Sequence, residues 1–168
     1  MTRPRILIAC IGNIFLGDDA FGVEVAKRLA GRRLPEEVRA VDFGIRGFDL
    51  AYALMDGYDL TIFVDAAPRG GTPGTIYTIE PDLNELPEPD GPAPAVEPHG
   101  LHPLKVLQLV KSMGGEFKRL LLVGCEPATC GPEEGMMGLS EPVQAAVNEA
   151  VEVIESLVAK FLHEHATK

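Results

Sequence analysis

The sequence has no tryptophan, only three cysteines and fewer basic than acidic residues. Its 15 lysine and arginine residues stand against 25 aspartate and glutamate residues, which gives a formal net charge of −10. Binding to duplex nucleic acid requires clusters of basic side chains, and the sequence contains none, so we exclude that class of function. No apolar run reaches the ~20 residues that a membrane-spanning helix needs. We therefore expect an acidic cytoplasmic protein that binds neither nucleic acid nor membranes.

The cysteines are too few and too unevenly placed to form a disulfide framework. Cys10, Cys125 and Cys130 leave one thiol without a disulfide partner. Cys125 and Cys130 are separated by four residues, and no second pair of cysteine or histidine residues lies nearby, which argues against a thiolate zinc site. We expect free, buried thiols in a reducing compartment.

Several catalytic motifs are also missing. The sequence has no spaced glycines of a dinucleotide-binding turn, no phosphate-binding loop, no Gly-x-Ser-x-Gly elbow and no His-Glu-x-x-His helix. Arg3 and Arg5 precede an apolar run, residues 6–11, as they would in a signal peptide. That run is short and no small-residue cleavage site follows it, so we interpret it as a buried first strand.

The chain of 168 residues, 46% of them hydrophobic, suits one domain (1–168) with its own core. Apolar runs alternate with helical spacings. We predict strands at 5–11, 38–43, 60–64, 74–80 and 120–123, and helices at 20–30, 48–55, 103–113 and from 140 onward. This order predicts an α/β fold with a mainly parallel (mixed) sheet between helices, in which 74–80 is a candidate antiparallel edge strand. Residues 81–98 are predicted to form a loop rich in proline and acidic residues, and 163–168 a frayed tail.

Three positions are candidates for chemistry. Asp18 or Asp19 follows the first strand, Asp65 ends the third, and His99 lies in the loop before Pro103. In a parallel sheet the loops after the first and third strands open on the same edge, where ligands bind. Two carboxylates and an imidazole suit a divalent transition metal with open coordination positions.

Each candidate also has a purely structural interpretation. Asp18 is a candidate helix cap, Asp65 a turn former and His99 a surface histidine. An ionised carboxylate at the end of so apolar a strand is costly to bury without a partner, which favours a functional role for Asp65. His102 is a candidate second ligand or a helix-start residue.

Two functions from different classes remain open at this point. One is a metal-recognising hydrolase that uses Asp19, Asp65 and His99. The other is a signalling module phosphorylated on Asp65, with magnesium held by the acidic pair. The second fits less well, because the last strand is followed by Gly-Cys-Glu-Pro (124–127) with no lysine to neutralise a phosphoryl group.

An ordered set of short motifs resembles the hydrogenase maturation endopeptidases, which release a C-terminal tail from the large subunit of nickel-iron hydrogenases. The first motif is Gly12-Asn13-x₄-Asp18-Asp19-x₂-Gly22. It is followed in order by Asp42-Phe43-Gly44-Ile45-Arg46-Gly47, Ile62-Phe63-Val64-Asp65-Ala66, Pro73-Gly74-Thr75, Pro98-His99-Gly100-Leu101, Leu122-Val123-Gly124 and Gly138-Leu139-Ser140. The resemblance extends from Arg5 to about Leu162, nearly the whole chain.

The resemblance implies a twisted mixed sheet between helices and an aspartate-type, metal-dependent endopeptidase. It places the family's three metal ligands, which are also its catalytic residues, on Asp19, Asp65 and His99. Asp18 is then a helix cap or a residue that supports the site, and the turn at Gly44–Gly47 is a candidate substrate contact, with Arg46 either part of that contact or a surface charge. It also implies recognition of nickel already bound in the large-subunit precursor, with no organic cofactor. Separately from the resemblance, we expect a monomer. A nickel-checking chaperone that binds the precursor without cutting it is the alternative.

Overall fold

The computed structural model describes residues 3–82, 103–131 and 135–166 of the chain. Five strands and four α-helices follow one another along these residues. The strands are β1 (Ile6–Ile11), β2 (Val38–Gly44), β3 (Leu60–Ala66), β4 (Ile76–Ile79) and β5 (Leu120–Cys125). The helices are α1 (Phe21–Ala30), α2 (Gly47–Leu54), α3 (Pro103–Ser112) and α4 (Glu141–Ala166), and a short 3₁₀ helix at Gly17–Ala20 leads into α1.

The strands form one sheet in the order β2-β1-β3-β5-β4. The pairs β1–β2, β1–β3 and β3–β5 are parallel. β4 pairs antiparallel with β5 at the edge of the sheet. The predictions of a mainly parallel mixed sheet and of an antiparallel edge strand are therefore confirmed.

Helices cover both faces of the sheet. On one face, alternate residues of β1, β3 and β5 pack with α1 and α4 around Phe21, Val147 and Ile154. On the other face, Leu7, Phe63 and their neighbours pack with α2 and α3. The central strands β1 and β3 are buried on both faces, as expected for parallel strands with crossover helices on each side.

The last helix shows how the apolar spacing fixes packing. Its predicted stripe is buried throughout: Val143, Val147, Val151, Ile154, Val158 and Phe161. Burial of these side chains against the sheet stabilises the long helix far more than its intrinsic propensity does.

The prediction of a frayed tail is wrong for residues 163–166, because α4 continues to Ala166. The imidazole of His165 packs on the ring of Phe161, with 3.9 Å between ring centroids, and bonds the carbonyl oxygen of Phe161 at 2.9 Å. Side chains four residues apart meet on a helix surface, and this contact supports the final turn.

The predicted loop at 81–98 falls mainly on residues 83–98, which lie outside the described residues, as do His99 and His102. No helix in the described parts of the chain is long and apolar enough to cross a membrane.

Candidate active site

The turn between β1 and α1 lies over the carboxyl ends of the central strands. This turn and the start of α1 lie so close to neighbouring backbone that Gly12 in the turn and Gly22 in α1 have no room for a side chain. A Cβ atom on Gly12 would lie 2.2 Å from the carbonyl oxygen of Asp19. A Cβ atom on Gly22 would lie 2.1 Å from the carbonyl oxygen of Ile11 and 2.6 Å from that of Val64. The missing side chains let the first turn of α1 press onto β1 and β3.

Asp65 is the next-to-last residue of β3 and is only 8% exposed. Its Oδ1 accepts a hydrogen bond from the backbone N–H of Ala66 at 2.8 Å. Burial, and then the negative charge of Asp19, raise the pKa of Asp65 well above its ordinary value, against the bond from Ala66, which lowers it. The strand end thus holds a carboxylate that gains stability from any cation brought near it.

Asp19 lies in the 3₁₀ helix and is partly buried. Its Oδ2 accepts a hydrogen bond from the backbone N–H of Asn13 at 2.9 Å. Burial raises the pKa of Asp19, and the bond from Asn13 opposes this shift. Asp19 follows β1 and Asp65 lies at the end of the parallel neighbour β3, so the topology brings both carboxylates to the same edge of the sheet, where the charge of Asp19 helps to raise the pKa of Asp65.

Neither carboxylate forms an ion pair with any residue in the described ranges 3–82, 103–131 and 135–166. In these ranges no buried side-chain oxygen lacks a hydrogen-bond partner, so the carboxylate oxygens without one reach solvent. The same ranges contain no cluster of three histidine, cysteine or acidic residues placed to hold a metal. The third predicted ligand, His99, lies outside them, so the described part of the site is a carboxylate pair.

Asp18 points away from Asp19 and is fully buried. Its carboxylate accepts bonds from the backbone N–H groups of Ala128 (2.8 Å), Thr129 (3.1 Å) and Ser140 (2.7 Å), and from the Ser140 hydroxyl (2.8 Å). Burial would raise the pKa of Asp18, but these bonds lower it below its ordinary value. The helix-cap alternative for Asp18 is wrong, because no side chain caps either helix of this turn. The other alternative, a residue that supports the site, stays a prediction.

The segment that Asp18 binds brings a residue to the site that the sequence did not indicate. Cys130 is exposed, contrary to the prediction that all the cysteines are buried. Partial burial of its thiol, followed by the charges of Asp19, Asp18 and Asp65, raises the pKa of Cys130, while a backbone bond at Asp19 lowers it. The backbone of Cys130 lies beside the acidic turn, since a Cβ atom on Gly17 would lie 3.3 Å from its carbonyl carbon. With its pKa raised, the thiol stays protonated at neutral pH.

The two other thiols are buried and unreactive. Burial and the charge of Asp42 raise the pKa of Cys10. Burial is also the largest of the causes that raise the pKa of Cys125 to about 12. These two cysteines match the prediction of free, buried thiols.

A third buried carboxylate, Glu126, follows β5 beside the end of β3. It accepts hydrogen bonds from the backbone N–H groups of Arg69 (2.9 Å) and Gly71 (2.6 Å) and from the hydroxyl of Tyr77 (2.8 Å). Burial opposes its ionisation, but these bonds lower the pKa of Glu126 below its ordinary value. Through these bonds Glu126 holds the loop after β3 in place. Arg69 and Gly71 precede Glu126 by 57 and 55 positions, and no local sequence pattern indicates the contact.

Arg46 organises the turn after β2. Its guanidinium donates hydrogen bonds to the carbonyl oxygens of Phe43 and Asp42, and it lies 3.5 Å from the carboxylate of Asp49. The backbone N–H of Gly12 bonds the carbonyl oxygen of Gly44 at 3.0 Å, which ties this turn to the turn that carries Asp19. Arg46 is therefore a structural cation at the edge of the sheet that holds the site.

Comparison with known proteins matches this architecture and sequence to one family. A family model described as hydrogenase maturation protease matches residues 23–157. A putative hydrogenase maturation protease from Methanocaldococcus jannaschii is 32% identical over 166 residues, which cover 95% of this chain and all of the relative. The hydrogenase 2 maturation protease of Escherichia coli is 30% identical over 156 residues, 89% of this chain and 88% of the relative.

A solved structure agrees with the fold. The hydrogenase maturating endopeptidase HybD from Escherichia coli has a TM-score of 0.71 and 28% sequence identity, and the match covers 93% of each chain. The match extends over the sheet and the helices on both its faces. By fold, by family model and by the identity of its relatives, this chain belongs to the hydrogenase maturation protease family.

Proposed function

We propose that this chain removes the C-terminal extension of a nickel-iron hydrogenase large-subunit precursor after nickel insertion. In this proposal Asp19, Asp65 and His99 recognise the nickel that the precursor carries. The observation that carries the proposal is the carboxylate pair at the sheet edge: Asp19 and Asp65 both have raised pKa values and neither is ion-paired with a described residue.

The charge on this pair supports recognition of a cation that arrives with the substrate. Two carboxylates that repel each other are stabilised when a divalent ion approaches, and carboxylate with imidazole suits a borderline metal such as nickel. A site with few ligands of its own binds free metal weakly. It completes a coordination set only when a loaded precursor supplies the remaining ligands, so the same contacts distinguish loaded from empty precursor.

The peptidase activity of the family would place the scissile bond beside these residues. Asp65 is held rigidly by the end of β3 and by the bond from Ala66, and Asp19 by the bond from Asn13. Both carboxylates are thus oriented before the substrate arrives, which lowers the entropic cost of binding it. A carboxylate with a raised pKa is also suited to hold a proton near neutral pH.

The test is incubation of the purified chain with nickel-loaded precursor from the same organism, read by the mass of the large subunit. We expect wild-type protein to shorten the subunit, and Asp65→Asn and His99→Ala to leave it intact while keeping the wild-type circular dichroism spectrum. Cleavage of nickel-free precursor at the same rate, or full cleavage by His99→Ala, would contradict nickel recognition. A wild-type chain that binds the precursor and leaves the tail attached would instead be a chaperone.

The phosphorylated signalling module receives no support from the site. The position after β5 that would need a lysine is occupied by Glu126. Its carboxylate already accepts hydrogen bonds from the backbone N–H groups of Arg69 and Gly71. Incubation with a phosphodonor should therefore add no stable mass at Asp65.

A further inference from the structure

Helix α2 is apolar on both of its faces. Its inner face, formed by Gly47, Leu50, Ala51 and Leu54, is buried against the sheet. Its outward residues Phe48 and Tyr52 are also large and apolar, yet they are 58% and 67% exposed. A helix on the surface of a globular protein usually carries polar residues on the side that faces water.

The exposed residues form one continuous surface. Ile45 lies two residues before the start of α2 and Met55 directly after its end, and they are 37% and 39% exposed. The spacing from Phe48 through Tyr52 to Met55 is four and three residues, which keeps these three side chains on one side of the helix, and Ile45 lies in the turn that leads into it. We call these four residues the α2 outer face. Single exposed apolar residues are common, but a contiguous patch of aromatic residues and methionine is typical of a protein interface.

The α2 outer face begins at the edge of the sheet that carries the carboxylate pair. The bond from the N–H of Gly12 to the carbonyl oxygen of Gly44 joins the end of β2 to the turn that contains Asp19. Arg46 then fixes the start of α2 through the carbonyl oxygens at the end of β2. Ile45 directly follows Gly44, so the α2 outer face starts next to the bond that joins these two turns.

The charges around the α2 outer face select the kind of partner. The exposed carboxylates of Asp49, within α2, and of Asp56, directly after Met55, lie beside it, and the nearby cation Arg46 already pairs with Asp49. A second copy of this chain would bring the same carboxylates and a further net charge of −10 against them. Like charges facing each other oppose association, so the complementary partner is an apolar surface with a basic rim.

We propose that the α2 outer face docks the hydrogenase large-subunit precursor, through an apolar patch of the precursor that is bordered by lysine or arginine. The docking rests on the proposed function, because the precursor is its occupant. It separates two tasks: the carboxylate edge recognises the metal, and α2 supplies affinity for the folded substrate through desolvated aromatic contacts.

The experiment compares wild-type chain, the double variant Phe48→Ser/Tyr52→Ser and the control Glu152→Ser. Glu152 is an exposed residue of α4, which packs on the opposite face of the sheet from α2. Initial cleavage rates are measured over a range of nickel-loaded precursor concentrations. We expect the double variant to raise KM about tenfold or more with kcat within a factor of about two, because truncated aromatic anchors weaken binding rather than chemistry. Glu152→Ser should match wild type.

A second readout separates this inference from the proposed function. Binding of the precursor to each variant is measured by biolayer interferometry, and the oligomeric state of each by sedimentation velocity. If wild type binds without cleaving while the double variant binds about tenfold more weakly, docking stands and the protease proposal fails. If wild type cleaves and the double variant keeps the wild-type KM and Kd, docking is overturned. It is also overturned if wild type is a dimer that the double variant converts to monomers.

Discussion

Adjacent aspartates with opposite electrostatics allow a sharp test. The carboxylate of Asp18 accepts four hydrogen bonds and has a lowered pKa, whereas that of Asp19 accepts one backbone bond and has a raised pKa. The ionised form of Asp18 therefore stabilises the fold, and the ionised form of Asp19 costs stability. Replacement of each by asparagine removes one charge at nearly constant volume.

The magnitude for Asp18→Asn follows from its donors. Three of the four bonds end on Oδ2 and one on Oδ1, so an asparagine with its amide oxygen at the Oδ2 position keeps three donors and places its NH₂ group against the backbone N–H of Ser140. Each hydrogen bond to a charged group contributes about 1.5–3 kcal/mol, and one such bond is lost. A neutral amide oxygen also holds the other three donors less strongly than a carboxylate does, which brings the expected loss to about 2–4 kcal/mol.

The assay is urea unfolding followed by circular dichroism. With a slope near 2 kcal/mol per molar urea, Asp18→Asn should lower the midpoint by about 1–2 M at pH 7. Asp19→Asn keeps an oxygen for the Asn13 N–H and should unfold at or above the wild-type midpoint. Equal midpoints for the two variants, or an Asp18→Asn loss below about 1 kcal/mol, would refute the assigned roles.

The pH dependence of the free energy of unfolding provides a second test of the role of Asp18. Because the folded-state pKa of Asp18 is lowered, its contribution is complete above the unfolded value of about 3.9 and is lost as the pH falls through the folded value. The difference between wild type and Asp18→Asn in free energy of unfolding should therefore be constant from about pH 5 to about pH 7 and shrink below about pH 4. A difference that persists unchanged at pH 2.5, about 1.4 units below the unfolded value, would show that the charge is not responsible.

Two further substitutions test the packing and the chemistry of the site. Gly22→Ala places a Cβ atom against the backbone oxygens of Ile11 and Val64 and should cost about 2–4 kcal/mol in urea unfolding, whereas Gly31→Ala, whose Cβ would meet nothing closer than 3.6 Å, should cost less than about 1 kcal/mol. Equal costs would contradict the close approach of α1 to the sheet. Cys130→Ser should keep precursor cleavage within about threefold of wild type, because the thiol is protonated at neutral pH and thus a poor nucleophile. Loss of all cleavage with an unchanged unfolding midpoint would assign the thiol a chemical role.

The sequence predicted what depends on local pattern. The apolar run that ends at Asp65 defines β3, and the order of runs defines which edge of the sheet holds the acidic turn. Partners distant in sequence were not predictable in this way. Asp18 resembles a helix cap in its local context, but its donors lie at least 110 positions later. Cys130 comes near the acidic turn because it directly follows Ala128 and Thr129, which donate bonds to Asp18.

The orientation of α2 was also beyond local pattern. Its helical span was predicted within a residue or two, since 48–55 became Gly47–Leu54. Apart from Asp49, every residue of this helix is apolar, glycine or tyrosine, so the sequence contains no polar stripe to mark the side toward water. Only the packed sheet shows that Phe48 and Tyr52 face outward.

The four bonds at Asp18 also determine when the site can form during synthesis. The turn that carries Asp19 is translated within the first 20 residues, yet Asp18 is held by residues 128, 129 and 140, and Gly17 bonds the carbonyl oxygen of Met136 at 2.8 Å. Chains fold from the N-terminus as they emerge from the ribosome, so β1 and α1 are available long before these partners. The acidic turn can therefore become ordered only after the last quarter of the chain has been synthesised. A nascent or truncated product has no ordered site with which to engage a precursor.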